Sequence, residues 1–154
     1  MDKLDLFNNS KLKKLLNKRS GESKFGEHVQ ILANVSNIYE QLKNLDVTYV
    51  IIGLPEDVGV FANYGKPGAY ATWDAVIKIL VNIQNNKYIN AKSVLILGHL
   101  NFKNELNQIS TLDQYKRKDI AKAREILANI DEDVTNIVSE IVNAGKKPII
   151  IGGG

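Results

Sequence analysis

The sequence predicts an α/β fold built on a mostly parallel sheet, and three observations predict it. Val47–Leu54, Ser93–Leu97 and Pro148–Ile151 are short apolar runs rich in β-branched residues. They lack the polar alternation of a half-exposed strand, so they read as strands covered on both faces. The segments between them carry helical periodicity, and parallel strands need such crossover helices.

Taken in order, residues 4–18 set Leu4, Leu6, Phe7, Leu12, Leu15 and Leu16 among lysines and read as an amphipathic helix. Residues 19–27 hold two glycines and no periodicity, so they read as a loop. Ile38, Leu42 and Leu45 fit a short helix capped by Ser36. After the first strand, Pro55–Ala71 carries three glycines and two of the three prolines and reads as a loop. It exceeds the usual connection of about 4–6 residues, and long loops inside compact domains tend to carry function.

Thr72 reads as an N-cap, followed by one apolar face at Trp73, Val76, Ile77, Leu80 and Val81. Asn101–Ser110 looks polar and irregular. Thr111–Gln114 resembles a capping box opening a helix that runs to about Ala144. Ile120, Ala123, Leu127, Ile130, Val134, Ile137 and Ile141 form its stripe, and Ile126, Val138 and Val142 broaden it beyond a coiled-coil seam. Gly145 suits the C′ position and Pro148 blocks continuation.

Composition narrows the function classes. The chain has 154 residues, 44% hydrophobic and 24% charged, the profile of one globular domain. It has no cysteine, which excludes disulfide scaffolds, thiolate metal sites and cysteine nucleophiles. The net charge is only +3, and the basic residues cluster only at Lys11–Arg19, which reads as a solvated helix face. No nucleic-acid partner is expected. No membrane partner is expected either, because no apolar run reaches about 18 residues. Without an apolar leader segment at the N-terminus, the expected compartment is cytoplasmic.

Any site should lie outside the carboxyl ends of the parallel strands, at Gly53–Ala71, Gly98–Phe102 and Gly152–Gly154. In the first of these, Gly59, Gly65 and Gly68 permit positive φ and close backbone approach. Glu56, Asp57 and Asn63 can hydrogen-bond a substrate, or Asp57 can cap a turn and Asn63 hold the loop. The segment is neither a Walker loop nor a Gly-x-Gly-x-x-Gly turn. His28 reads as structural and His99 as a plain hydrogen-bonded residue past a strand end. No Ser-His-Asp signature and no metal-ligand spacing is present.

Three stretches together resemble a known family. Val50–Gly59 (VIIGLPEDVG), Ala62–Ala69 (ANYGKPGA) and Thr72-Trp73 resemble the first strand, loop and helix of the ureohydrolases, the arginase, agmatinase and formimidoylglutamase family. Ala144–Gly154 (AGKKPIIIGGG) resembles the stretch leading into that family's first metal ligand. Arg19–Glu27 and Val81–Gln84 are similar to the formimidoylglutamase-like branch of bacterial members.

The resemblance implies a three-layer α/β/α domain with a mostly parallel sheet, of which residues 1–154 would be the N-terminal portion, truncated before the metal-ligand motifs. It implies a hydrolase of C–N bonds in linear amidines, with formimidoylglutamate, arginine or agmatine as type substrates. Two manganese ions would activate a bridging water. The family's ligands, a His directly after the glycine run and later Asp-x-His-x-Asp and Asp-x-Asp motifs, do not occur in this chain. No metal ligand or catalytic residue is therefore assigned, and the chain alone is expected to be inactive. Asp57, Asn63 and Gly65 would border the substrate mouth, with Phe61 where relatives often carry Arg. A homo-oligomer is expected of the full-length protein. The competing expectations are a small non-catalytic α/β module, which should self-associate through its uncovered third strand, and a nucleotide-binding protein continuing past the glycine run.

Overall fold

The computed structural model describes residues 3–154. In chain order the elements are β1 (Leu4–Leu6), α1 (Asn9–Leu15), α2 (Ile38–Asn44), β2 (Tyr49–Gly53), α3 (Val58–Ala62), α4 (Thr72–Leu80), β3 (Val94–Leu100), α5 (Lys103–Ile109), α6 (Arg117–Asn143) and β4 (Lys147–Ile151). The strands form one open sheet in the order β1-β3-β2-β4. β2 is parallel to both β3 and β4, and β1 is antiparallel to β3. The expected mixed α/β fold with a mostly parallel sheet is therefore present. No helix among the described residues is long and apolar enough to cross a membrane.

Non-alternating strands bury side chains on both faces, and here each face has its own core. Val50, Ile52, Leu95 and Leu97 point into a core shared with α2, α3, α5 and α6. Ile51 and Ile96 point the other way, against Phe7, Trp73, Ile77 and Val81, with Leu12 and Leu15 of α1 alongside. On α6 the predicted stripe is buried at Ile120, Ala123, Ile126, Ile130, Ile137 and Ile141. The helix stops as the sequence requires. Gly145 takes φ 76°, its N–H donates to the Val142 carbonyl, and the Lys146 N–H donates to the Ile141 carbonyl. Those two bonds make a Schellman motif.

Several expectations need correction. Leu4–Leu6 is a strand, not the start of a helix. The helix is confined to Asn9–Leu15, capped by the Asn8 side chain on the Lys11 N–H at 3.0 Å. Ser36 does not cap α2; Asn37 holds that position in the left-handed region at φ 47°. Thr72 is already helical because the 3-10 turn Ala69–Ala71 feeds α4 directly. The supposed loop Pro55–Ala71 contains α3, whose Val58 and Ala62 enter the α6-side core.

Asn101–Ser110 contains α5 instead of irregular chain. Its buried side is Phe102, Leu106 and Ile109, spaced i, i+4, i+7 but spanning too few turns to stand out. Gln114 is not part of a capping box; α6 begins at Arg117, and Asp119 Oδ2 reaches back to the Asp113 N–H at 2.9 Å. β4 pairs with β2 alone, leaving Ile149 42% and Ile150 45% exposed, so it is not covered on both faces.

Candidate functional site

The carboxyl ends of β2 and β4 lie side by side, since Gly53 pairs with Ile151. The segments leaving them meet. The Leu54 N–H donates to the Ile151 carbonyl at 2.8 Å, and the Gly154 N–H donates to Glu56 Oε1 at 2.5 Å. Glu56 Oε2 accepts the Gly59 N–H at 3.0 Å. A Cβ on Gly59 would stand 1.9 Å from the Gly154 carbonyl oxygen, so only glycine permits this approach. Glu56 is thus a buried clasp between the loop after β2 and the glycine run after β4.

Asp57 is buried as well. Its carboxylate accepts the Gly68 N–H, at 3.1 and 3.0 Å to its two oxygens, and the Tyr70 N–H at 3.2 Å. It closes the loop on itself. Gln114 Nε2 donates to the Phe61 and Gly65 carbonyls, both at 3.2 Å, and ties the same loop to the approach of α6.

Of the three residues expected at the substrate mouth, Asp57 and Gly65 are held by this network, and Asn63 is exposed at the end of α3. Positive φ in the loop falls on Tyr64 and Gly68, not on Gly59 or Gly65. An open cavity of ≈ 430 Å³ borders Asp57, Phe61, Pro67 and Tyr70 and is lined on its other side by Leu106, Ile109 and Leu112. It is mostly apolar, and Asp57 is the acidic group on its wall.

The two histidines occupy different settings. His28 Nε2 lies 2.7 Å from Ser23 Oγ in a hydrogen bond on the surface, a structural position. His99 is not the plain hydrogen-bonded residue expected of it. It lies beside Trp73, ring centroids 5.8 Å apart, with Nε2 3.7 Å from Asp5 Oδ2. Sequence reasoning missed Asp5 and Lys11 as its neighbours, because β1 reaches β3 only through the tertiary fold.

Burial pushes the His99 imidazole below its ordinary pKa of 6.5; Asp5 and Asp74 pull it up, and Lys11 and Lys103 push it further down. The unfolded chain therefore takes up this proton before the native chain does. Stability from this residue is complete above about pH 6.5 and falls as the pH drops from there toward the lowered native value. We expect His99→Gln to flatten the pH dependence of unfolding free energy in that window. Parallel urea-denaturation profiles for the two proteins between about pH 7 and 5 would contradict it.

The described residues contain no group of three or more His, Cys, Asp or Glu side chains able to hold a metal ion. Glu56 and Asp57, the acidic pair at the strand ends, have their oxygens turned to backbone N–H groups instead. The residues present do not fit a two-manganese centre.

Comparison of the chain with family models, curated proteins and solved structures found no match.

Proposed function

We propose that this chain supplies the first strands and the substrate-side loop of a manganese-dependent hydrolase acting on C–N bonds in linear amidines. Substrates of the formimidoylglutamate, arginine or agmatine type fit that reading. The finer architecture that goes with it is the three-layer, arginase-like arrangement. The observation supporting it most directly is the junction at the carboxyl ends of adjacent parallel strands. There Glu56 joins the loop Pro55–Ala71 to the glycine run Gly152–Gly154. These are the two segments whose sequences resemble the ureohydrolases, and ligands of open α/β sheets bind at such strand ends.

The described residues hold no group of three or more metal-ligating side chains, so no chemical step is derived through manganese. What they contribute is form: a loop fixed by Asp57 and Gln114, and an apolar cavity beside it.

The test has two parts. The reading frame past the Gly154 codon should continue with His and, further on, Asp-x-His-x-Asp. Expressed at that length with manganese, the protein should release formamide or urea from one of formimidoylglutamate, arginine or agmatine. The 154-residue chain should show neither turnover nor tight manganese binding in calorimetry. A frame without those motifs, or turnover by residues 1–154 alone, would sink the reading.

A further inference from the structure

A second cavity, of ≈ 320 Å³, opens on the opposite face of the sheet between α1, α4 and the end of β3. Buried Phe7, Trp73 and Ile77 form its apolar floor with partly buried Leu15, and His99 contributes a partly exposed ring. Trp73 is fixed in place because it packs on Gly53, where a Cβ would stand 2.4 Å from its ring. The volume lies at the small end for ligand sites and suits a molecule of about ten heavy atoms.

Charge around the rim selects the ligand class. Asp5 and Lys11 pair at 2.6 Å, and Lys11 also donates to the Leu6 carbonyl at 2.8 Å, so these two charges satisfy each other. Lys14 and Lys78 are exposed at the rim and have no ion-pair partner among the described residues. Asp74 is the one further carboxylate there, and it sits in the first turn of α4, where negative charge suits the helix end. The surplus is cationic, and the wall carries two aromatic rings already packed on each other, Trp73 and His99.

We propose that this cavity binds a small aromatic carboxylate, its ring on the apolar floor at the edge of Trp73 and its carboxylate toward the Lys14 and Lys78 rim. None of its lining residues borders the cavity beside Asp57, so the site is separate from the amidine mouth. Its test is independent of the hydrolase reading.

Trp73 is the only tryptophan in the chain, so tryptophan-selective fluorescence reports on this cavity alone. The full chain is titrated with phenylacetate, phenylacetamide and phenethylamine, which share one ring and differ in charge. Phenylacetate should change the emission saturably below about 10 mM. Phenylacetamide should bind about five-fold more weakly, and phenethylamine should give no saturable change. The double variant Lys14→Gln/Lys78→Gln alters only exposed positions. It should lose about five-fold in phenylacetate affinity and keep the affinity for the amide. The proposal is overturned if acid and amide bind equally, if the amine binds better, if the double variant binds phenylacetate as well as the parent, or if no ligand saturates.

Discussion

Gly98→Ala is expected to destabilise the fold by about 3 kcal/mol or more. Two effects add. Gly98 has φ 134°, a conformation that an L side chain adopts only under strain. A Cβ there would also stand 2.2 Å from the Asp5 carbonyl oxygen and 2.8 Å from the Phe7 nitrogen. Those are backbone atoms of β1 and the residue after it, so no side chain can swing away. The position exists because the β2–β3 register skips Leu97, pairing Ile51 with Ile96 and Ile52 with Gly98. The bulge bends β3 and lets β1 close against it. Moving β1 away would uncover Leu4 and Phe7, one from each core.

The control is Gly145→Ala. Gly145 also has positive φ, 76°, but nothing lies within 4 Å of its would-be Cβ. It should cost only the backbone strain, about 1 kcal/mol. Urea unfolding of both variants separates the effects. If Gly98→Ala costs no more than Gly145→Ala, the close approach of β1 to Gly98 is not a constraint on the fold.

Asp57→Ala is the second large effect, expected at about 1.5–3 kcal/mol. The carboxylate receives the Gly68 and Tyr70 N–H groups across the loop, and its removal leaves both without a protein acceptor. Asp57→Asn should cost less, about 1 kcal/mol, because the amide oxygen keeps one acceptor site. The loop Tyr64–Tyr70 should become the first point of proteolytic cleavage in the alanine variant. The experiment also decides what Asp57 is for. A loss below about 0.5 kcal/mol with an unchanged cleavage pattern would return Asp57 to the substrate-contacting role that its sequence position suggests.

The sequence reading and the structure part company at Asp57 for a definite reason. An acidic residue after a strand, in a glycine-rich loop, has the same appearance in sequence whether it faces a ligand or two backbone donors. The partners that distinguish the cases, Gly68 and Tyr70, lie 11 and 13 residues away. In the same loop as Asn63 and Gly65, the left-handed backbone falls on Tyr64 and Gly68. Loop conformation follows from what the loop packs against, here α6 through Gln114.

Local chemistry by itself determined β2, the start of β3, the α4 and α6 stripes and the stop at Gly145. Each rests on periodicity or on a residue type whose conformational preference is strong enough to be read within a few positions. Tertiary structure alone decided the rest. Leu4–Leu6 became a strand because β3 offers it an edge, and Lys103–Ile109 became a helix because Phe102, Leu106 and Ile109 found a core to enter. Ile149 and Ile150 stayed half exposed because β4 lies at the sheet edge, where its two faces are only partly covered. The meeting of Asp5, Lys11, Trp73 and His99 around one cavity depends on pairing a strand at the N-terminus with one some ninety residues on. Such non-local pairing leaves no periodicity in the chain, because its energy comes from contacts that exist only after the sheet has formed.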